Sequence, residues 1–233
     1  MKLIILAGGK GTRISEYTTK IPKPMVRIRN KPIITYIIDH YLKYGVKEVL
    51  IAGGYKYSII RNYFNKNKKK YPCVKVINTG LNSLTSLRIY KLKNFFQTNE
   101  NFYLTYGDGV SNINIKNLLK NHIKQKKICT LTAVRPPARF GELKIRNNKV
   151  IDFNEKPQLN EGWINGGFFV MNSNIFNILG KKNQMLEREP MQKLLKTKNI
   201  NAFMHNEFWM CMDTLRDKIN LEKIILKKMK MKK

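Results

Sequence analysis

From Lys2 to Val134, short apolar runs alternate with stretches of helical periodicity, and no other feature of the chain constrains its fold as much. Lys2–Leu6, "VKEVLIAGG", "CVKVI", "NFYLTYGDG" and "ICTLTAV" read as strands. Between them, Pro32 reads as a first helical position, followed by Ile33, Ile34, Ile37, Ile38, Tyr41 and Leu42 at helical spacing, with Gly45 where a C-cap belongs. "YSIIRNYF", "NSLTSLRIYKLKNF" (capped by Asn82 or Ser83) and Ile115–Ile123 supply further helices. Strands that regularly alternate with helices predict a parallel sheet with crossover connections. From Pro136 the texture changes: "ELKIRNNKVIDF" predicts a hairpin turning at Asn147-Asn148, and "WINGGFFVMN" a long strand. Two short helices, one strand and a helix after Asp213 follow. The expectation is an α/β fold, a mixed, mostly parallel sheet flanked by helices, with an antiparallel extension in the second half. No repeat or flexible linker divides residues 1–233, so a single domain is expected.

The formal charge of +30 raises the question of nucleic acid. Lysine far outnumbers arginine, although arginine dominates specific base and bidentate phosphate contacts, and the lysines are spread along the chain. No specific nucleic-acid partner is therefore expected; a basic, non-catalytic nucleic-acid binder is the alternative of a different class. The same charge attracts anionic small molecules such as nucleotides. With 42% hydrophobic residues the chain can bury an ordinary core. No apolar stretch has the length of a membrane span, and Leu3–Ala7 is too short for a signal core. Cys73, Cys129 and Cys211 lack metal-ligand spacing and read as reduced thiols, so a cytoplasmic location is expected.

Chemistry concentrates at a few points. The first strand ends in "LAGGKGTR", where Gly8, Gly9 and Gly11 permit a tight turn and close backbone approach, and Thr12 and Arg13 add a hydroxyl and a cation. Neither the Walker nor the dinucleotide pattern fits, so taken alone the loop reads equally as a phosphate cradle or a plain strand-to-helix turn. Pro22 and Pro24 hold Lys23 on a stiff segment, and Lys156 repeats the device in "EKP". Asp108 stands between glycines at the carboxyl end of a strand, where open α/β sheets bind ligands, although aspartate and glycine also form ordinary turns. Asp213 is its possible partner, or else a helix N-cap. Two such carboxylates beside phosphates would hold Mg²⁺. Asn165 and Gly166 offer polar contact and close approach, or simply a bulge. The histidines His40, His122 and His205 join no Ser/His/Asp grouping. The inventory suits a phosphoryl-type transfer carried out by positioning and charge neutralisation.

Taken in order, "LAGGKGTR", "PKPM", "YGDG", "EKP", "NGGFF" and "MDT" resemble the sugar-nucleotide pyrophosphorylases, a nucleotidyltransferase family, over nearly the whole chain. Within it, "TLTAVRPPARFGEL", "INGGFFVMN" and "FWMCMDTLRDKINLE" are most similar to the glucose-1-phosphate cytidylyltransferases. The resemblance implies transfer of a nucleotidyl group from a nucleoside triphosphate, CTP in that branch, to a sugar 1-phosphate, with release of pyrophosphate. It implies a nucleotide-binding half over residues 1–134 and a sugar-phosphate half over 135–233. Leu6, Ala7, Gly8, Gly9, Gly11, Thr12 and Arg13 would wrap the triphosphate, with Lys23 at the reacting phosphate and Ser83 and Arg88 at the base. Asp108 and Asp213 would hold Mg²⁺, while Gly141, Glu155, Lys156, Asn165 and Gly166 would hold the sugar phosphate. Arg13, Lys23 and Asp108 would carry the catalysis, in an enzyme expected to be a homo-oligomer. Where the family reads Thr-Gly-Gly-Arg, this chain has Thr85-Ser86-Leu87-Arg88, and Tyr63–Asn78 is shorter than the cytidylyltransferase counterpart. Another base or another phosphorylated acceptor on the same fold is thus the nearer alternative.

Overall fold

A computed structural model describes residues 1–136, 142–154 and 162–230. The expected alternation is present. Strand β1 (Lys2–Ala7) runs through the glycine loop into a single 3₁₀ turn and helix α1 (Ser15–Thr18). A small ribbon of β2 (Arg27–Ile28) and β3 (Lys31–Pro32) leads into α2 (Ile33–Leu42). There follow β4 (Glu48–Gly53), α3 (Tyr57–Lys66), β5 (Val74–Asn78), α4 (Thr85–Tyr90) and β6 (Asn101–Tyr106). Next come β7 (Gly109–Ser111), α5 (Ile115–Gln125) and β8 (Cys129–Val134). The second half supplies β9 (Glu142–Arg146), β10 (Lys149–Asn154), β11 (Ile164–Asn172) and α6 (Ile175–Leu179). It closes with α7 (Glu189–Lys196), β12 (Ile200–His205), β13 (Trp209–Cys211) and α8 (Leu215–Lys230).

Seven strands form one sheet in the order β12-β8-β11-β6-β1-β4-β5. The pairs β6/β1, β1/β4, β4/β5 and β12/β8 are parallel, whereas β11 is antiparallel to both of its neighbours, β6 and β8. The antiparallel strand therefore lies inside the sheet, and β9 and β10 form a separate two-stranded hairpin. This placement matters for the site. Parallel strands end together at one edge, and a strand running the other way begins there. Phe168 pairs with Thr105, so Gly166 and Gly167 reach the edge at which β1 and β6 stop.

Side-chain alternation along the strands builds a layer on each face. Leu3, Ile5 and Ala7 pack with Ile34, Ile37 and Tyr41 of α2 and with Leu118 of α5. Ile4 and Leu6 pack on the opposite face with Ile89, Ile175, Leu179 and Leu194. Each such fully buried aliphatic side chain contributes about 1.5–3 kcal/mol, enough for these faces to set the register of the whole sheet. A third cluster joins Ile14, Val26, Ile28 and Ile33 to Met210, Met212 and Leu221, anchoring α8 beside the β2–β3 ribbon. That anchor carries Asp213 to the glycine-loop edge.

Local expectations fare unevenly. Asn147 and Asn148 turn the hairpin with φ of 47° and 60°, the paired left-handed residues of a type I′ turn. Pro32 is the residue before α2 rather than its first, and still ends β3. Helix α4 begins at Thr85, later than expected, and neither Asn82 nor Ser83 caps it. Instead Asn183, far along the chain, accepts from the Leu84 amide at 2.8 Å. A cap recruited across the fold leaves no mark in the local sequence.

Candidate active site

The glycine loop is held from beneath by Arg88. This guanidinium is almost fully buried, and its donors reach the carbonyls of Gly8 (3.0 Å), Gly53 (3.2 Å), Gly80 (2.8 Å) and Leu81 (3.1 Å) and the Thr79 hydroxyl (2.7 Å). Burial lowers its pKa from the usual arginine value. A Cβ on Gly8 would lie 2.1 Å from Arg88 Cζ, so only glycine lets the loop rest on this support. Gly11 has φ +69°, and a Cβ there would meet the Thr18 and Lys23 side chains at 2.9 and 3.0 Å.

Lys23 lies at the centre of the edge. Its Nζ donates to Asp108 Oδ2 and to Asp213 Oδ1, both at 2.6 Å, and Arg13 donates to Asp213 Oδ2 at 2.7 Å. Burial works against the charge on Lys23, but Asp108 and Asp213 outweigh it and its pKa is raised. Burial likewise works against the Asp213 carboxylate, yet Lys23 and Arg13 hold it below the ordinary aspartate range. The N-cap reading of Asp213 is excluded by its neighbours: Asp217 accepts from the Asp213 and Thr214 amides, and Thr214 Oγ1 accepts from the Asp217 amide at 3.2 Å. Thr214 caps α8 and leaves the Asp213 carboxylate to the site. Asp108 is brought alongside because the Met212 amide donates to its carbonyl at 2.9 Å.

Asp108 and Asp213 thus converge on the Lys23 ammonium and are the two carboxylates at hand for a metal ion. Mg²⁺ takes hard oxygen ligands, commonly one or two carboxylates completed by water and phosphate, and this pair fits that demand. Among the described residues no group of three or more His, Cys, Asp or Glu side chains gathers as a metal cage.

Two cavities open from this centre, of about 320 and 340 Å³. The first runs along the glycine loop: Leu6, Ala7, Gly8, Gly9 and Gly11 line it, and Lys23, Ser83 and Arg88 face it from beyond the loop. Thr12 lines neither cavity. The Ser83 hydroxyl is turned inward, donating to the Thr79 carbonyl at 2.5 Å and accepting from Lys91 at 3.0 Å. The second cavity is walled by Asn165 and Gly166, where the β11 register slips in a bulge and Asn165 Oδ1 accepts from the Gly167 amide at 2.9 Å. The bulge and the wall are one feature. Arg13, Tyr106 and Asp108 line both cavities. Gly141, Glu155 and Lys156 lie outside the described residues.

Sequence reasoning missed several wall residues. Trp209 lines the second cavity and donates its indole N–H to the Gly166 carbonyl at 2.7 Å. Cys211 lines it too; burial, with the charges of Asp213 and Asp108, pushes its thiol up to about 12 and keeps it protonated. Leu84 and Met185 face the first cavity. Tyr106 could have been found, since it ends β6 two residues before Asp108; Met185 carried no signal, because only tertiary contacts bring it there.

A glycine loop at a sheet edge, a lysine between two aspartates and two adjoining cavities form an apparatus for joining two phosphorylated substrates. The Nucleotidyl transferase family matches residues 2–226, and the chain belongs to that family. It is 40% identical to glucose-1-phosphate cytidylyltransferase of Salmonella typhimurium, over 95% of each chain. It is 32% identical to D-glycero-alpha-D-manno-heptose 1-phosphate guanylyltransferase of Campylobacter jejuni, over 90% of this chain and 93% of the relative. Among solved structures, HddC from Yersinia pseudotuberculosis complexed with GMP-PN superposes with a TM-score of 0.74 at 22% identity, covering 96% of this chain and 99% of that one. At that identity the likeness speaks for the fold. No helix among the described residues is long and apolar enough to cross a membrane.

Proposed function

We propose that this protein transfers a cytidylyl group from CTP to a sugar 1-phosphate such as glucose 1-phosphate, releasing pyrophosphate. The observation that carries the reading is Lys23, bonded to both Asp108 and Asp213 at the point where the two cavities meet. The choice of base and sugar rests on the cytidylyltransferase relative.

In this reading the backbone from Gly8 to Gly11, with Arg13, binds the triphosphate, and Lys23 neutralises the reacting α-phosphate. Asn165, Gly166 and the Trp209 wall orient the sugar phosphate, joined by Gly141, Glu155 and Lys156. A sugar phosphate oxygen attacks the α-phosphorus in line; the new P–O bond forms as the bond to pyrophosphate breaks, and the electron pair leaves with pyrophosphate. Positioning and charge neutralisation supply the catalysis, with no covalent enzyme intermediate. Asp108 and Asp213 would hold Mg²⁺, whose chemistry is to offset charge on the phosphate oxygens. We take the enzyme to be one domain, acting in the cytoplasm as a homo-oligomer.

A second reading keeps the fold and changes the base. Ser86 and Leu87 replace a glycine pair in the first turn of α4, and a guanylyltransferase is among the relatives. The test is a panel of four nucleoside triphosphates against several sugar 1-phosphates, with and without Mg²⁺, read as pyrophosphate release. Highest kcat/KM with CTP and glucose 1-phosphate is expected; any other nucleoside triphosphate preferred over CTP would install the second reading.

A further inference from the structure

One wall residue of the glycine-loop cavity, Met185, comes from the far half of the chain. Residues 183–187 lie across the start of α4, held by a ladder of bonds between the two segments. Asn183 accepts from the Leu84 amide at 2.8 Å and donates to the Asn82 carbonyl at 3.1 Å. The Ser86 amide donates to the Gln184 carbonyl at 3.1 Å, and the Leu186 amide to Thr85 Oγ1 at 2.7 Å. This ladder brings Met185 into the wall that Leu84 also lines, both of them exposed.

Glu187 is the end of the ladder and does something the rest does not. One carboxylate oxygen accepts from Thr85 Oγ1 at 2.9 Å, and the other accepts from the Tyr106 hydroxyl. Thr85 lines the first cavity, whereas Tyr106 lines both. The Tyr106 ring also packs against Gly167, where an added Cβ would lie 2.6 Å from Cδ2, so the ring rests directly on the backbone of β11. Burial and the nearby Glu187 charge keep the hydroxyl protonated, as a donor.

We infer that Glu187 is a positioning residue that ties the base-side rim of the nucleotide cavity to Tyr106, the wall shared with the sugar-phosphate cavity, so that one carboxylate sets both binding surfaces. The inference rests on the proposed division of the two cavities between nucleotide and sugar phosphate. Glu187 touches neither substrate in this account; it acts through Thr85 and Tyr106.

The test is steady-state kinetics of Glu187→Ala, Glu187→Gln and Tyr106→Phe against both substrates, with thermal midpoints measured alongside. Glu187→Ala should raise KM for both the nucleotide and the sugar phosphate by roughly 10-fold, with kcat within about threefold of wild type. Glu187→Gln should recover most of that loss, because an amide can still bond two hydroxyls that donate or accept. Adding Tyr106→Phe to Glu187→Ala should raise KM for the sugar phosphate by less than Tyr106→Phe does alone, since the bond it removes is already gone. Glu189→Ala, which breaks an exposed pair with Lys182 in the same segment, should leave both KM values unchanged. The inference is overturned if Glu187→Ala alters one KM alone, if it lowers only the thermal midpoint, or if Glu187→Gln is as impaired as Glu187→Ala. Turnover by wild type of a pair other than CTP and glucose 1-phosphate would displace the substrate reading, and the same variants would then be compared on that pair.

Discussion

Lys23 and Arg88 are two cations buried within reach of one glycine loop, and their surroundings are opposite in kind. Lys23 is bonded to two carboxylates, which raise its pKa despite burial. Arg88 is bonded to carbonyls and a hydroxyl, and burial lowers its pKa. A charge held by other charges can be re-paired when an anionic substrate arrives, because each partner remains a strong ligand for a cation. A charge shared among backbone carbonyls has a different use: it fixes where those carbonyls, and the loop that carries them, can be. The first arrangement suits chemistry and the second suits shape.

The largest effect should come from emptying the first arrangement. Asp108→Ala and Asp213→Ala should each lower kcat by roughly 10²–10³-fold at saturating Mg²⁺ while leaving the far-ultraviolet circular dichroism unchanged. Pyrophosphate release at near-normal rates in either variant would remove that aspartate from its role. Lys23→Ala should depress kcat by about 10²-fold, the loss expected if its proposed contact tightens as pyrophosphate departs. Lys156→Ala should act elsewhere, raising KM for the sugar phosphate more than KM for the nucleotide; the converse would reverse the proposed assignment of the two lysines.

Arg88→Met should show the contrast directly. The carbonyls of Gly80 and Leu81 lose their donor, while those of Gly8 and Gly53 keep the Tyr55 and Thr79 amides. A loss of about 2–4 kcal/mol in unfolding free energy is expected, with a raised nucleotide KM and a kcat near wild type. Urea denaturation with an unchanged m-value would report it. If Arg88→Met instead lost kcat with stability intact, the distinction between the two cations would collapse.

The smallest effect tests the rule beneath the comparison, that burial without a charged partner drives a group neutral. His122 is buried with Nδ1 2.9 Å from Thr130 Oγ1, and burial lowers its pKa to about 4. Its folded value lies below the unfolded one near 6.5, so the unfolded state takes up the proton first as pH falls. Stability is therefore fully present above pH 6.5 and declines through the window down to about 4. Between pH 7 and pH 5 this one group should cost about 2 kcal/mol of stability. His122→Gln should flatten that part of the profile in urea titrations at the two pH values; an unchanged slope would show that His122 is not its source.

How much of this was legible beforehand follows from the range of the forces involved. Alternation within strands and helices is local, so the parallel-centred sheet, the hairpin turn at Asn147-Asn148 and the glycine loop could all be read along the chain. Lys23 and Asp108 were recognisable as candidates because proline, glycine and a strand end mark them locally, whereas Asp213 stood out through the family motif "MDT". The sequence also left choices open: Asp213 reads as a helix cap as well, and its carboxylate is released only because Thr214 and Asp217 cap α8 instead.

Other features depend on residues that meet only when the sheet has closed. Inserting β11 between β6 and β8 carries Asn165 and Gly166 to the edge where Asp108 stands, and no local periodicity encodes which strand becomes its neighbour. The cap of α4 comes from Asn183, about a hundred residues away, and the Glu187 link between the two cavities has the same origin. Backbone propensity and hydrophobic period act over a few residues and are written in order along the chain. Hydrogen bonds of this second kind join distant segments, and their partners are chosen by packing, which the linear order of residues does not display.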